Sequence, residues 1–364
     1  MALSIKTRFR IRVLTVVTAV CALIGAITQW RSIDNVTPAI GGALVVGLIG
    51  ASVCYFEMAL QDRLRRMSLA AALALRLIAY LAIVLMVGKL VRLVTGLPYE
   101  TSSSDIWGTL ALTFGFNFLF VLRRQFGTTN LIALVTGRYR QPQQEERAVL
   151  FLDLAGSTGT AERLGDVRFH AFLDTLFTDM TDAILDRGGE IYRYIGDEVI
   201  VTWQVPSLLK SARRRHDVLD CFFAIRDALA ANRSRYEATF GTSPHFRGAL
   251  HVGPLVVGEM GDFKREIVLL GDLMNTTSRI ESLCRDLGKD YLVSAAAHDL
   301  LAGGGMEDLH FEDLGPVRIR GKRISIHLFA ASDKPTATST LAEAAKTYPT
   351  TAETSGVTTP EKVD

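Results

Sequence analysis

Hydrophobic and polar positions divide the chain into two unlike parts. Before Arg123 the pattern is one of long apolar runs, at residues 11–30, 36–58, 68–94 and 106–122. Each approaches the roughly 20 residues that an α-helix needs to cross about 30 Å of hydrocarbon. Four such runs exceed what a cleavable signal peptide explains, so the spacing predicts a membrane region of about four helices. Lys6, Arg8, Arg10 and Arg12 crowd the start of the first run. Arg63, Arg65 and Arg66 separate the second from the third, and Arg123 and Arg124 follow the fourth. The other two loops carry Arg31 with Asp34, which roughly cancel, and Glu100 with Asp105. Basic loops stay on the cytoplasmic side. A multi-pass protein of the cell inner membrane or plasma membrane is therefore expected, with everything after Arg124 in the cytoplasm. The third run is the least regular, because Arg76, Lys89 and Arg92 interrupt it. Lys89 and Arg92 would snorkel to the outer interface. Arg76 lies about two turns in and needs a partner, for which Glu57 is the candidate.

After Arg124 the period changes. Residues 128–147 form a linker in which Leu131, Ile132, Leu134 and Val135 predict a short amphipathic helix, ended by Gly137 and Pro142. It is either a plain spacer or an element that couples the membrane helices to the domain beyond. From residue 148 to 330, short apolar strands alternate with helices of period 3.6. Strands are expected at 148–154, 191–195, 199–203, 246–252, 255–259, 291–293, 311–313 and 324–328. Helices are expected after Thr158, over 213–235 and from Asn275 onward. Strands and helices mixed in this way predict an α+β domain with helices packed on a sheet. Residues 331–364, rich in Thr, Ala, Glu, Lys and Pro, read as a disordered tail. The division is thus 1–127 membrane anchor, 128–147 linker, 148–330 catalytic domain and 331–364 tail.

Composition narrows the function. A net charge of +2 gives no support to a nucleic-acid partner. Four cysteines without a CxxC pair indicate neither a zinc site nor a disulfide framework. The chemistry lies elsewhere. Asp153 ends one apolar strand and Asp197 interrupts another, positions where a charge is costly unless it is paired or bound to metal. Two carboxylates on adjacent strands repel, and Mg²⁺ or Mn²⁺ relieves the repulsion while leaving coordination sites for phosphate oxygens. Each Asp alone also reads as a turn or cap. Ala155, Gly156, Ser157 and Thr158 lie between a strand and a helix, where backbone N–H groups bind phosphate, although Ser and Thr are ordinary helix caps as well. Asn275 and Arg279, four apart on one helical face, suit a ribose and a phosphate. The alternative for Arg279 is a surface ion pair with Glu281 or Asp286.

Together, the segments 151–158, 188–198 and 271–279 closely resemble the class III nucleotide cyclases in motif, order and spacing, over about residues 146–329. The resemblance implies a ferredoxin-like α+β fold, a homodimer with active sites at the interface, and two Mg²⁺ or Mn²⁺ ions per site. It assigns Asp153 and Asp197 to the metals, and Asn275 and Arg279 to the ribose and the transition state of the opposite protomer's site. Phe151, Leu154 and the turn after it would reach metal and triphosphate through the backbone. The implied reaction converts ATP to 3′,5′-cyclic AMP and pyrophosphate by in-line attack of the ribose 3′-hydroxyl. Two positions depart from the family's adenine-reading pattern: Arg193 stands where Lys is usual and Val268 where Asp or Thr is usual. Arg193 retains a donor for adenine N1, whereas Val268 accepts nothing. A backbone carbonyl or Thr202 would have to accept from the adenine amino group, or selectivity shifts toward GTP. A catalytically silent signalling module is the other alternative, against which the intact Asp153, Asp197, Asn275 and Arg279 weigh. A diguanylate cyclase leaves Asn275 and Arg279 unexplained.

Overall fold

A computed structural model describes residues 5–30, 36–64, 67–95, 127–302, 308–319 and 325–333, with single positions between 111 and 122. The chain divides into two compact units, Met1–Gln143 with Val256–Leu269, and Gln144–Leu255 with Leu270–Asp364.

In the first unit, helices α1 (Ile5–Thr28), α2 (Thr37–Leu64) and α3 (Leu69–Thr95) contain apolar stretches long enough to cross a membrane, at Ile11–Thr28, Thr37–Leu60 and Ala74–Val91. Most of the expected fourth span, 106–122, lies outside the described residues, as do positions 334–364 of the expected tail. Glycines let α1 and α2 meet backbone to backbone. A Cβ on Gly42 would sit 2.3 Å from the Gly25 carbonyl oxygen, and one on Gly25 would sit 2.2 Å from that of Gly42. Close approach of small residues is the usual basis of helix association in lipid. Gly42→Leu is expected to push the helices apart at a cost of about 1–3 kcal/mol, read as a lower melting temperature of the full chain in detergent. An unchanged midpoint would show that the helices do not meet there.

Against α3, α2 packs Val45, Ile49 and Val53 on Tyr80, Val84, Val87 and Val91. At one end of this seam Arg76 Nε donates to Glu57 Oε1 at 2.8 Å, and the Tyr80 hydroxyl donates to the same oxygen. The partner expected for Arg76 is therefore in place. The linker forms α4 (Thr128–Thr136), which closes on Gly137 in the left-handed region at φ 65°, where a Cβ is unfavourable. Beyond it Tyr139 is buried.

The sheet is built from β1 (Gln143–Leu154), β2 (Glu190–Ile195), β3 (Glu198–Gln204), β4 (Phe246–Met260), β5 (Glu266–Leu270), β6 (Tyr291–Ser294), β7 (Leu309–Val317) and β8 (Ile326–Asp333). Its order is β2-β3-β1-β4-β6-β8-β7, with β5 paired to β4. β4 and β6 run parallel, whereas β1–β3, β2–β3, β6–β8 and β7–β8 run antiparallel, so the sheet is mixed. The outer part of β4 also holds the linker: the Glu259 N–H donates to the Tyr139 carbonyl at 2.8 Å, and Gly258 leaves room for Pro142.

The helices that follow are α5 (Ser157–Leu164), α6 (Asp166–Asp186), α7 (Val205–Leu208), α8 (Ala212–Ala231), α9 (Arg233–Phe240), α10 (Asp272–Leu287) and α11 (Ala295–Leu301). Leu150, Leu152, Leu154, Val199 and Val201 point to one face, where they pack with Phe172, Leu176, Met180 and Ile184 of α6 and Phe222 of α8. The opposite face carries Ala249, Leu292 and Leu328 against Ile280 and Cys284 of α10.

Three expectations are revised. The strands expected at 246–252 and 255–259 are one strand, β4, because Pro254 sits exposed within it rather than ending it. The helix expected over 213–235 breaks at Asn232, whose backbone (φ −101°, ψ 8°) leaves the helical range. The strand expected at 148–154 begins at Gln143.

Candidate active site

Side chains alternate across a strand. Since Leu152 and Leu154 enter the core beneath α6 and α8, Asp153 at the end of β1 turns to the α10 face. β3 lies beside β1 with Leu152 opposite Val199, which brings Glu198 and the turn before it next to Asp153. That turn is the two residues Gly196 and Asp197, closed by pairing of Ile195 with Glu198. Gly196 has φ 63°, a conformation that tight hairpins require and that glycine adopts without strain.

Register and turn therefore bring Asp153 and Asp197 close enough for the Asp197 charge to act on Asp153. Burial raises the Asp153 carboxyl above its ordinary range, the Asp197 charge raises it further, and Arg247 opposes both. Arg247, on β4, holds Nη2 3.7 Å from Asp153 Oδ2, and its buried Nε has no hydrogen-bond partner. Glu198 is pushed up to about 7, first by burial and then by the charges of Asp153 and Asp197. Glu281 is also pushed up to about 7, by burial and then by Asp153. It is buried on the inner side of α10.

Carboxylates forced together against this repulsion fit a hard divalent cation. Among the described residues no group of three or more His, Cys, Asp or Glu is spaced to enclose a metal. Asp153 and Asp197 thus suit an ion that completes its oxygen shell from a bound substrate.

The turn expected to bind phosphate follows directly on Asp153 and Leu154. The Ala155 N–H donates to the His245 carbonyl at 2.8 Å. Gly156, at φ 70°, precedes α5 and offers no side-chain cap to its first N–H groups. Ser157 is half-buried and Thr158 exposed, whereas the side chains of Phe151 and Leu154 are buried, leaving their backbones to act. Arg193 is half-buried on β2, its guanidinium 5.3 Å from the Tyr192 ring centre. Val268 is half-buried on β5 and belongs to the other unit. Thr202 is buried and accepts a hydrogen bond from Arg147 at 3.2 Å, so it is spent inside the sheet.

Asn275 and Arg279 stand exposed on the outer side of α10. Among the described residues no hydrogen bond or ion pair joins either to Asp153 or Asp197, or Arg279 to Glu281 or Asp286. One chain therefore assembles the aspartates and the turn and leaves the Asn–Arg pair facing outward. Sequence reasoning passed over Glu198, Arg247 and Glu281 as site residues. A charge at an inward position of an apolar strand (Arg247) or on the apolar face of a helix (Glu281) was the signal available.

The catalytic-domain model for adenylate and guanylate cyclases matches residues 139–331. The chain belongs to this family. The chain is 40% identical over 206 residues to "Adenylate cyclase 2" of Rhizobium meliloti (strain 1021), a match covering 56% of this chain and 55% of that protein. It is 27% identical over 194 residues to "Guanylate cyclase 2D" of Rattus norvegicus, covering 52% and 17%. The chain thus spans about half or less of the curated relatives it matches. Among solved structures, a bacterial light-regulated adenylyl cyclase matches with a TM-score of 0.51 and 20% identity, over 66% of this chain and 68% of that one. At that identity the likeness concerns the fold. Relatives named for either nucleotide base occur, so family membership leaves the base open.

Proposed function

We propose that the protein is a membrane-anchored adenylate cyclase that converts ATP to 3′,5′-cyclic AMP and pyrophosphate as a homodimer, with its catalytic domain in the cytoplasm. The observation that carries this reading is the strand register that sets Asp153, at the end of β1, beside Asp197 in the β2–β3 turn, within a domain of the cyclase family.

Asp153 and Asp197 would hold Mg²⁺ or Mn²⁺, two ions per site. When bound, these lend positive charge to the ribose hydroxyl and the phosphates. The N–H groups at the start of α5 would receive the triphosphate. Asn275 would orient the ribose and Arg279 would stabilise charge building on the α-phosphorus. Their outward placement on α10 supports a role in the site of a second copy rather than in that of their own chain. The chemistry needs positioning and neutralisation more than covalent participation.

ATP is favoured by the 40% identical relative named an adenylate cyclase and by the donor that Arg193 keeps for adenine N1. GTP is the second reading, left open because Val268 accepts nothing from an adenine amino group, although the guanylate-type pairing of Glu with Cys or Ser is absent at positions 193 and 268. The test is the full chain in membranes with Mn²⁺ and either triphosphate. Cyclic AMP from ATP, at least about tenfold over cyclic GMP from GTP, is the expected result, a preference worth about 1.4 kcal/mol. Preference for GTP selects the second reading, and no cyclic product from either triphosphate removes both.

A further inference from the structure

Away from the aspartates, the unit that holds them contains a second concave site. A cavity of about 300 Å³ opens between α8, the start of β4, the α10–β6 turn, β7 and the end of β8. That volume is at the lower end of small-molecule sites, enough for one aromatic ring with a short polar group. The inner wall is apolar. The Phe222 and Tyr291 rings stack there, with centroids 4.5 Å apart and planes 10° from parallel, and Leu229 and Phe246 extend the wall.

The mouth carries both signs of charge. Arg226 Nη1 and Nη2 donate to Asp333 Oδ1 and Oδ2 at 2.9 and 2.7 Å. Lys289 Nζ donates to Glu312 Oε2 at 2.5 Å, and His245 Nε2 lies 2.9 Å from Asp290 Oδ1. All six side chains line the cavity, and all six are partly exposed. Solvent-exposed pairs of this kind contribute little to the fold, so they open to a charged ligand at little cost.

This arrangement sorts ligands by charge. An uncharged apolar molecule gains the inner wall and nothing from the mouth. A lone anion meets three carboxylates beside its cations, and a lone cation meets Arg226 and Lys289. A molecule with both charges close together on an aromatic body satisfies wall and mouth at once.

We propose that this cavity is a binding site for an aromatic α-amino acid in its zwitterionic form. Its ring packs on the apolar wall, its carboxylate exchanges with Glu312 on Lys289, and its ammonium takes the Glu312 carboxylate. The site stands apart from the cyclase reading, since binding is measured without any turnover.

The experiment is equilibrium dialysis of the full chain in detergent against radiolabelled L-phenylalanine, 3-phenylpropionate, 2-phenylethylamine or L-alanine. L-Phenylalanine is expected to bind at least about tenfold more tightly than each of the others, which lack the ammonium, the carboxylate or the ring. Tenfold is what one charge-assisted hydrogen bond readily supplies. Lys289→Gln and Glu312→Gln are each expected to weaken L-phenylalanine binding about tenfold. They remove opposite ends of one exposed pair, where substitutions seldom disturb folding, and either carries the test if circular dichroism shows the other unfolded. No binding of L-phenylalanine overturns the proposal, and so does equally tight binding of any of the three analogues. Binding that neither substitution weakens overturns it as well, because the ligand then sits elsewhere.

Discussion

Asp153→Ala is expected to lower cyclic nucleotide formation by about a thousandfold or more. A bound cation contributes several kcal/mol of charge stabilisation, and about 1.4 kcal/mol corresponds to each factor of ten in rate. Asp153 and Asp197 share the position where that charge would sit, and Asp197 alone offers half the ligand set. Arg279→Ala should cost about a hundredfold to a thousandfold, as loss of a donor to developing charge does. The two variants become more informative when expressed together. If Asn275 and Arg279 of one protomer complete the aspartates of the other, a mixed dimer contains one site with both defects and one with neither. Random pairing of the two inactive chains then restores about a quarter of wild-type activity. No recovery would mean that the four residues act within one chain, against their placement on the outer side of α10. The measurement is cyclic product per total protein in membranes from co-expressing cells.

The largest effect expected among the apolar N-terminal helices is that of Glu57→Leu. It leaves the Arg76 guanidinium without the carboxylate it contacts at 2.8 Å, in a seam where both side chains are largely buried, at 16% and 13% exposure. Breaking a buried pair from one side costs about 3–5 kcal/mol. Removing both partners avoids the unpaired charge, so Glu57→Leu with Arg76→Leu should recover most of that loss. Melting of the full chain in detergent reads both variants. A single variant as stable as the wild type would mean that Arg76 finds other partners, such as water or lipid phosphate. A double variant as unstable as the single one would mean that the pair matters through shape rather than charge.

Much of the architecture was legible because its signals are local. Apolar runs with basic flanks marked α1 to α3. Gly196–Asp197 between two alternating runs marked the β2–β3 turn, and Gly137 marked the end of α4. Strand ends carrying lone aspartates marked Asp153 and Asp197. What stayed hidden depends on pairing across distance. Arg247 reads in isolation as one basic residue in a strand; its significance comes from β4 lying beside β1. Glu198 follows Asp197 in the sequence and reads as a second turn carboxylate until register sets it next to Asp153. Glu281 reads as the surface partner of Arg279 until helix phase places the two on opposite sides. The single strand β4 was divided for the same reason, since Pro254 is a stop signal only where its missing N–H is needed. Thr202 was a candidate acceptor because nothing in the sequence shows that Arg147 already occupies it.

The fastening of the linker has a practical side for anyone who wishes to excise the catalytic part. A fragment cut at Gln143 keeps the whole sheet yet loses Tyr139, whose carbonyl receives the Glu259 N–H, and Pro142, which fills the space over Gly258. The outer half of β4 would then present an unmet N–H and an uncovered glycine to solvent, an invitation to aggregate. Truncation at Gly127 retains these contacts together with α4, and a chimera grafted onto a foreign anchor inherits them only if its junction also falls there. The boundary chosen on the bench thus decides whether a weakly active fragment reports on the enzyme or on the missing clasp.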